Sequence, residues 1–275
     1  MITEPSPEPL SDELPSRSSG GGVSAEERRL RRELAAVYRL LAHFKMTDLI
    51  FTHVSLRLPG PERHFLINPF GLFFDEVTAS SLVKIGLDGC AVEPTPFAVN
   101  PAGFVIHSAI HAAREDAHCI VHTHTRAGCA VAAQREGLLP LNQMSMEFYG
   151  QVAYHDYEGV SLDLDEQQRL VRDLGGKLVM ILRNHGLLTV GGSPQQAFLR
   201  MYYLEKACEI QVSAQAGGTA LVIPPQEVCA HAERQLNGSF PTASQGNTPS
   251  AADGNDLAWA ALLRLLDRTD PGYKD

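Results

Sequence analysis

His122 and His124 stand one residue apart at the end of a short apolar, β-favouring run, Ala117-His-Cys-Ile-Val121. Side chains i and i+2 of a strand leave on the same face, so these two imidazoles can be aimed at one point. That is half of a metal site. A second strand-like run, Leu178-Val-Met-Ile-Leu182, leads into Arg183-Asn-His185-Gly186, where a turn can bring a third imidazole to the same cation. Three neutral imidazoles with one coordination position open form a recurring catalytic zinc arrangement, and imidazole also suits iron, copper and nickel. The plainer reading makes strand-end histidines hydrogen-bonded structural residues, and a chain with 11 histidines pairs two of them by chance fairly often.

Other spacings carry less chemistry. His107 and His111 stand four apart on one helical face, but a zincin-type pair needs Glu after the first His, and Ser108 is there. Both are read as packing and hydrogen-bonding residues, with His107 placed to brace the metal shell from behind. Asp163 and Asp165 read as a helix start. Leu199, Tyr202, Tyr203 and Ile210, at helical spacing, read as core or subunit interface. P-loop and dinucleotide fingerprints are absent from the sequence.

The elements that must position the histidines follow from periodicity and punctuation. Residues 1–23 are rich in Pro, Ser, Glu and Gly, cannot offset ordering entropy by burial, and are expected to be a disordered tail. Ser24 and Glu27 form a capping box before Leu30, Leu34, Val37, Leu40 and Leu41, which predicts an amphipathic helix. Residues 51–58 and 64–67 read as strands, and 83–92 as a strand pair folded through Asp88-Gly89. Helices are predicted over 104–113 and 126–134, on either side of the histidine strand. After the Leu138-Leu-Pro140 break come two weak strands and a helix near 165–174. Ser193, Pro194 and Gln196 start a long helix over 197–216, closed by Gly217-Gly218. Residues 224–255 return to Pro, Gly, Ser and Asn, before a last short helix over 257–266. The expected organisation is a tail (1–23), one domain (24–223) and a C-terminal extension with a short terminal helix (224–275).

Composition narrows the function classes. At 275 residues, 44% hydrophobic and 20% charged, the chain can bury a substantial core. A net charge of -9 argues against nucleic-acid binding, which needs clustered basic charge. Arg28, Arg29, Arg31 and Arg32 alternate with Glu26, Glu27 and Glu33 and read as a solvated helix face. Five cysteines without paired spacing do not make a disulfide framework and suit a reducing compartment. No signal-peptide pattern and no run of about 18 apolar residues is present, so no membrane partner is expected and the cytoplasm is the expected location.

Four ordered motifs together resemble the class II aldolase/adducin family: Asn100-Pro-Ala-Gly-Phe-Val-Ile-His107, Cys119-Ile-Val-His-Thr-His124, Tyr154-His-Asp-Tyr-Glu-Gly159 and Ile181-Leu-Arg-Asn-His-Gly186. The match runs from about residue 26 to about residue 218. The resemblance implies an α/β fold, an α/β/α sandwich around a mainly antiparallel central sheet, assembled as a ring-shaped homotetramer. It also implies His122, His124 and His185 as ligands of a divalent metal, zinc or alternatively Fe2+.

The chain departs from the sugar-phosphate aldolases of that family at the chemistry. Aligned on His107, the acid/base glutamate is Gly103 and the two phosphate-binding serines are Pro101 and Ala102. The Gly-Asn-Val-Ser stretch is Thr52-His-Val-Ser55 and the Thr-Pro-x-Gly loop is Asn68-Pro-Phe-Gly71. The metal trio is untouched, whereas the phosphate cradle and the base have changed. Glu147, Tyr149 and His53 are the candidates to replace the glutamate. Glu147 lies in Met146-Glu-Phe-Tyr149, where the family's aldolases place residues that complete a neighbour's site; as a plain sequence feature it is a surface carboxylate.

Three functions fit this pattern. One is a metal-dependent lyase or aldolase-like enzyme acting on a C–C bond beside a carbonyl, in a non-phosphorylated oxo or hydroxy acid or sugar-like substrate. Another is an Fe(II) decarboxylating oxygenase of an aromatic 2-oxo acid, as in aminocoumarin biosynthesis. The third is an adducin-like interaction domain without catalysis.

Overall fold

Seven strands form one sheet in the computed structural model, which describes residues 23–159, 165–237 and 254–275. They are β1 (His53–Arg57), β2 (Phe65–Ile67), β3 (Val83–Ile85), β4 (Cys119–Thr123), β5 (Val152–His155), β6 (Val179–Leu182) and β7 (Gly186–Gly191). Their spatial order is β3-β2-β1-β4-β7-β6-β5, and every neighbouring pair is antiparallel except β5 with β6. The histidine strand β4 is therefore the middle of the sheet. All five of its residues are buried, because helices cover both faces.

Side-chain alternation divides the core in two. Cys119, Val121, Ile181 and Leu187 face α1 (Ala25–His43), α3 (Arg126–Ala132), α6 (Pro194–Ala216) and α8 (Gly254–Thr269). Ile120, Met180, Leu182 and Leu188 face α2 (Pro101–Ala113) and α5 (Glu166–Leu174). The architecture is the expected α/β/α sandwich.

Several local expectations are corrected. The 224–255 stretch contains a helix, α7 (Gln226–Asn237), which starts after Pro224-Pro225, buries Cys229 and packs on α4 (Gln143–Met146). The first of the two weak strands is α4 itself, started by Asn142 in a capping box with Ser145. Only 83–85 of the expected strand pair joins the sheet, the return being a single bridge from Ile85 to Ala91. The Ser24 hydroxyl accepts from Glu27 N–H, but the Glu27 carboxylate goes to Arg31 and Lys84 instead of back to Ser24. Arg31 is buried, donating to the Leu82 carbonyl, so the arginine row is not uniformly solvated. The tail expected over 1–23 lies almost wholly outside the described residues, and so does Asp163.

The described end of the C-terminal extension packs on the domain. Arg39 of α1 donates to both Asp270 carboxylate oxygens at 2.9 Å and to the Val77 carbonyl, while Ala79 N–H reaches the Tyr273 carbonyl at 3.0 Å. Among the described residues no helix is long and apolar enough to cross a membrane.

Tyr38 of α1 is fully buried, and its hydroxyl is inserted where β1 and β2 part beyond their last paired residues. It accepts from Val54 N–H at 2.9 Å and Asn68 N–H at 3.0 Å, and it faces the Val54 carbonyl and Asn68 Oδ1. Tyr38→Phe would leave two buried amides without an acceptor, and chemical denaturation should read a loss of about 2–5 kcal/mol. A change within a few tenths of a kcal/mol would show that the hydroxyl does not hold the strands together.

Candidate metal centre

β4 ends at Thr123, so His122 leaves from the strand and His124 from the first residue beyond it. His185 arrives on the turn between β6 and β7. Asn184 sits there at φ 55°, a left-handed conformation that Asn tolerates better than most residues, with its N–H on the Ala132 carbonyl. Gly186 follows with Thr123 and His124 pressed against it: a Cβ would lie 2.4 Å from the Thr123 carbonyl oxygen and 3.1 Å from His124 Cδ2. Only glycine allows the turn to close this far onto the end of β4. The three rings converge: Nε2 of His124 is 2.8 Å from Nε2 of His122 and 2.9 Å from Nε2 of His185. Among the described residues this is the one group of three or more His, Cys, Asp or Glu side chains gathered closely enough to hold a cation.

The far edges of the rings decide what the near edges offer. His122 Nδ1 lies 2.9 Å from the Leu187 carbonyl, which can only accept, so Nδ1 carries the proton and Nε2 the lone pair. His124 Nδ1 lies 2.9 Å from Asp48 Oδ2 and is oriented in the same way. Burial, reinforced by the neighbouring histidines, pushes His122 well below the ordinary imidazole range and His185 down to about 4. Lone pairs brought this close repel unless something positive lies between them. One proton can be shared along one of these contacts, whereas a divalent cation satisfies all three nitrogens together. The donor set, the fixed tautomers and the carboxylate behind His124 fit a metal.

Of the other residues singled out from the sequence, the structure brings His53 to the trio and does not bring Glu147 or Tyr149. His53 pairs with His122 across β1 and β4, and their ring centroids are 4.9 Å apart. Burial holds it well below the usual imidazole range, helped by His107, His124 and His185. Glu147 lies near Arg200 of α6 and is pushed up to about 7 by burial, against the pull of that guanidinium. The α6 helix covers the face of β4 on which Thr123 contacts Met201, opposite to the face His122 leaves from. The sheet thus stands between Glu147 and the trio of its own chain. Tyr149 is half-buried in the same turn, its N–H on the Met146 carbonyl, and no described contact joins it to the histidines.

Gly103 faces His53. A Cβ at 103 would lie 2.9 Å from His53 Cδ2 and 3.0 Å from its Cγ, so the ring occupies the space a side chain there would need. His107 reaches the site through His53, its Nε2 being 2.9 Å from His53 Nδ1, rather than bracing a member of the trio directly. Asp48 and the Leu187 carbonyl, which set the two rings, carry no sequence signal. Asp48 meets His124 across 76 residues of chain and belongs to no spacing pattern. A main-chain carbonyl leaves no residue-type signal at all.

Comparison with known proteins agrees with this architecture. The profile of the class II aldolase and adducin N-terminal domain matches residues 32–212. A Pseudomonas syringae protein of the aldolase II superfamily, known from its crystal structure, is 54% identical, with TM-score 0.83 over 92% of this chain and 98% of its own. Rat alpha-adducin is 45% identical over 255 residues, 90% of this chain but 34% of the adducin. The L-fuculose 1-phosphate aldolase of Glaciozyma antarctica PI12 is 28% identical, with TM-score 0.76 over 94% of this chain and 97% of its own.

Two outcomes follow from the site's construction. Gly186→Ala should push the turn away from Thr123 and lower metal affinity while the fold survives, read as zinc retained after dialysis together with far-UV circular dichroism; full retention would show that the close approach is not needed. His111, pushed down to about 3 chiefly by burial and then by Arg57, stays neutral in the folded chain while an unfolded histidine takes up a proton near pH 6.5. Folded stability at this site is therefore lost as pH falls below about 6.5. Glu147 acts in the opposite sense, losing stability as pH rises towards 7, so the His111 contribution is isolated as a difference. Metal-free wild type should lose stability relative to His111→Gln between about pH 6.5 and 5. Parallel curves would remove the claim.

Proposed function

Because this chain belongs to the class II aldolase and adducin family, we propose that it is a metal-dependent lyase or aldolase-like enzyme. It would act on a C–C bond beside a carbonyl in a non-phosphorylated oxo or hydroxy acid or sugar-like substrate. The observation that carries this reading is the convergence of three Nε2 atoms, two with their tautomers set from behind by Leu187 and Asp48. His122, His124 and His185 would hold a divalent cation, zinc by preference. When bound, that cation supplies Lewis acidity, polarising a carbonyl oxygen of the substrate.

The chain's own residues do the rest. The Asp48 carboxylate and the Leu187 carbonyl hold two rings in orientation and keep their N–H groups turned away from the centre. Pro101, Ala102 and Gly103 offer neither the hydroxyl pair nor the carboxylate of the sugar-phosphate aldolases, which supports a substrate without phosphate. His53 is the acid/base candidate nearest the trio. Glu147 and Tyr149, cut off from the trio of their own chain, would take part only if a neighbouring protomer presented them, as a ring-shaped homotetramer of the family would.

A second reading, an interaction domain without catalysis, is supported by the higher identity to alpha-adducin than to the fuculose phosphate aldolase. Elemental analysis separates them. Purified wild type should carry about one zinc per chain, and His122→Ala should lose most of it; unchanged metal content in that variant would sink the scheme. Asp48→Asn should weaken zinc binding by about 10–100-fold. Turnover in an aldol or retro-aldol screen favours the first reading. Iron with oxygen uptake on an aryl-pyruvate would redirect it to a decarboxylating oxygenase, and a metal-free, inert protein supports the second reading.

A further inference from the structure

Beside the trio lies a chain of hydrogen bonds that runs through the interior without reaching solvent. His53 Nδ1 is 2.9 Å from His107 Nε2, and His107 Nδ1 is 2.6 Å from Ser55 Oγ. Ser55 Oγ is 2.7 Å from His111 Nε2, and His111 Nδ1 is 3.0 Å from the Ala117 carbonyl. His53 is 2% exposed, Ser55 and His107 0%, and His111 3%, so no water competes for these contacts.

The chain has one direction, and its far end sets it. A carbonyl only accepts, so the His111 proton is on Nδ1 and, in a neutral ring, Nε2 is an acceptor. The single Ser55 proton must then point to His111, which turns the Ser55 oxygen into an acceptor for His107 Nδ1–H. His107 Nε2 is in turn an acceptor, and His53 Nδ1–H fills it. The nitrogen left over is His53 Nε2, with its lone pair. The neutrality this requires is what the surroundings enforce: burial depresses His53, His107 and His111 alike, and Arg57, whose guanidinium donates to the His111 carbonyl, opposes charge at the far end.

This is not a wire. An amide carbonyl cannot take the last proton, and Arg57 disfavours an imidazolium at His111, so the row has no outlet. We propose that His107, Ser55 and His111 are positioning residues forming a tautomer lock, which holds His53 Nε2 as a hydrogen-bond acceptor beside the three-histidine site. Its function rests on the enzymatic reading above. A free imidazole favours its Nε2–H form, which beside the trio would present a donor where the lock presents an acceptor; the lock reverses that preference. In use, the His53 Nε2 lone pair accepts a hydrogen bond from a substrate O–H and orients it beside the three-histidine site. Gly103 belongs to the same device, since the ring can occupy its place only where 103 has no side chain.

The test is direct observation of the rings in the full-length protein labelled with 15N-histidine, with zinc content measured on the same samples and resonances assigned by single His→Gln variants. Long-range 1H–15N correlation should show His53, His107 and His111 all as Nδ1–H tautomers in metal-free protein. In Ser55→Ala, His111 should keep this form on the Ala117 carbonyl and His122 on the Leu187 carbonyl, while His107 and His53 shift to mixtures. Ser55→Thr, which restores a hydroxyl, should shift them back. His53 as the Nε2–H form in wild type, or unmoved in a folded Ser55→Ala, overturns the lock. The wild-type spectrum decides even if a variant fails to fold. Zinc bound with His53 in the wrong tautomer would defeat this proposal and leave the metal site standing; the right tautomer without zinc uptake would support the lock and defeat the enzymatic reading.

Discussion

A neutral imidazole has one N–H and one lone pair, and the group at one edge of the ring decides which nitrogen faces the other way. The centre of this protein is built on that constraint. Leu187 and Ala117 contribute carbonyls and Asp48 a carboxylate, and from these three acceptors the orientations of His122, His124, His111, His107 and His53 follow in turn. Because a buried ring is costly to charge, His122, His111, His107 and His53 stay neutral and directional through the ordinary pH range.

The sheet supplies the rigidity this needs. β4 is the middle strand of seven and is covered on both faces, so the positions of His122 and His124 are determined by ladders to β1 and β7 as well as by packing. The Thr125 hydroxyl donates to the buried Glu205 carboxylate of α6 just beyond the strand, which ties the exit of β4 to the longest helix. Gly186 lets the third imidazole arrive from the adjacent hairpin without a gap. Rigid strands, one tight turn and a set of fixed acceptors make a site that exists before any ligand enters it.

How much of this was legible in the sequence depended on the range over which each feature is encoded. The grouping of the trio was legible because two of its imidazoles share one strand's period and the third stands at a strand exit marked by Asn-His-Gly. The sandwich was legible because the family motifs fell in order along the chain. Helix α7 was hidden by its neighbourhood: Pro, Gly, Ser and Asn dominate the stretch around it, and one buried cysteine carries its packing. Glu147 illustrates a different limit, since the sequence marks a carboxylate of the right type but not which side of the sheet tertiary packing puts it on, here within the field of Arg200. Asp48 and the row from His53 to His111 could not be read off at all, because their partners lie 52 to 76 residues apart, apart from the local His111–Ala117 contact, and share no local pattern.

The close fit between Gly103 and the His53 ring also constrains how this site can change over generations. A carboxylate at 103 and an imidazole at 53 compete for one volume, so a lineage crossing between the two designs must alter both positions. Either order of single steps passes through a poorer intermediate: two bulky groups in collision, or a hollow that neither side chain fills. The two positions are therefore expected to be inherited as a pair, and the effect of a substitution at one should depend on which residue already occupies the other.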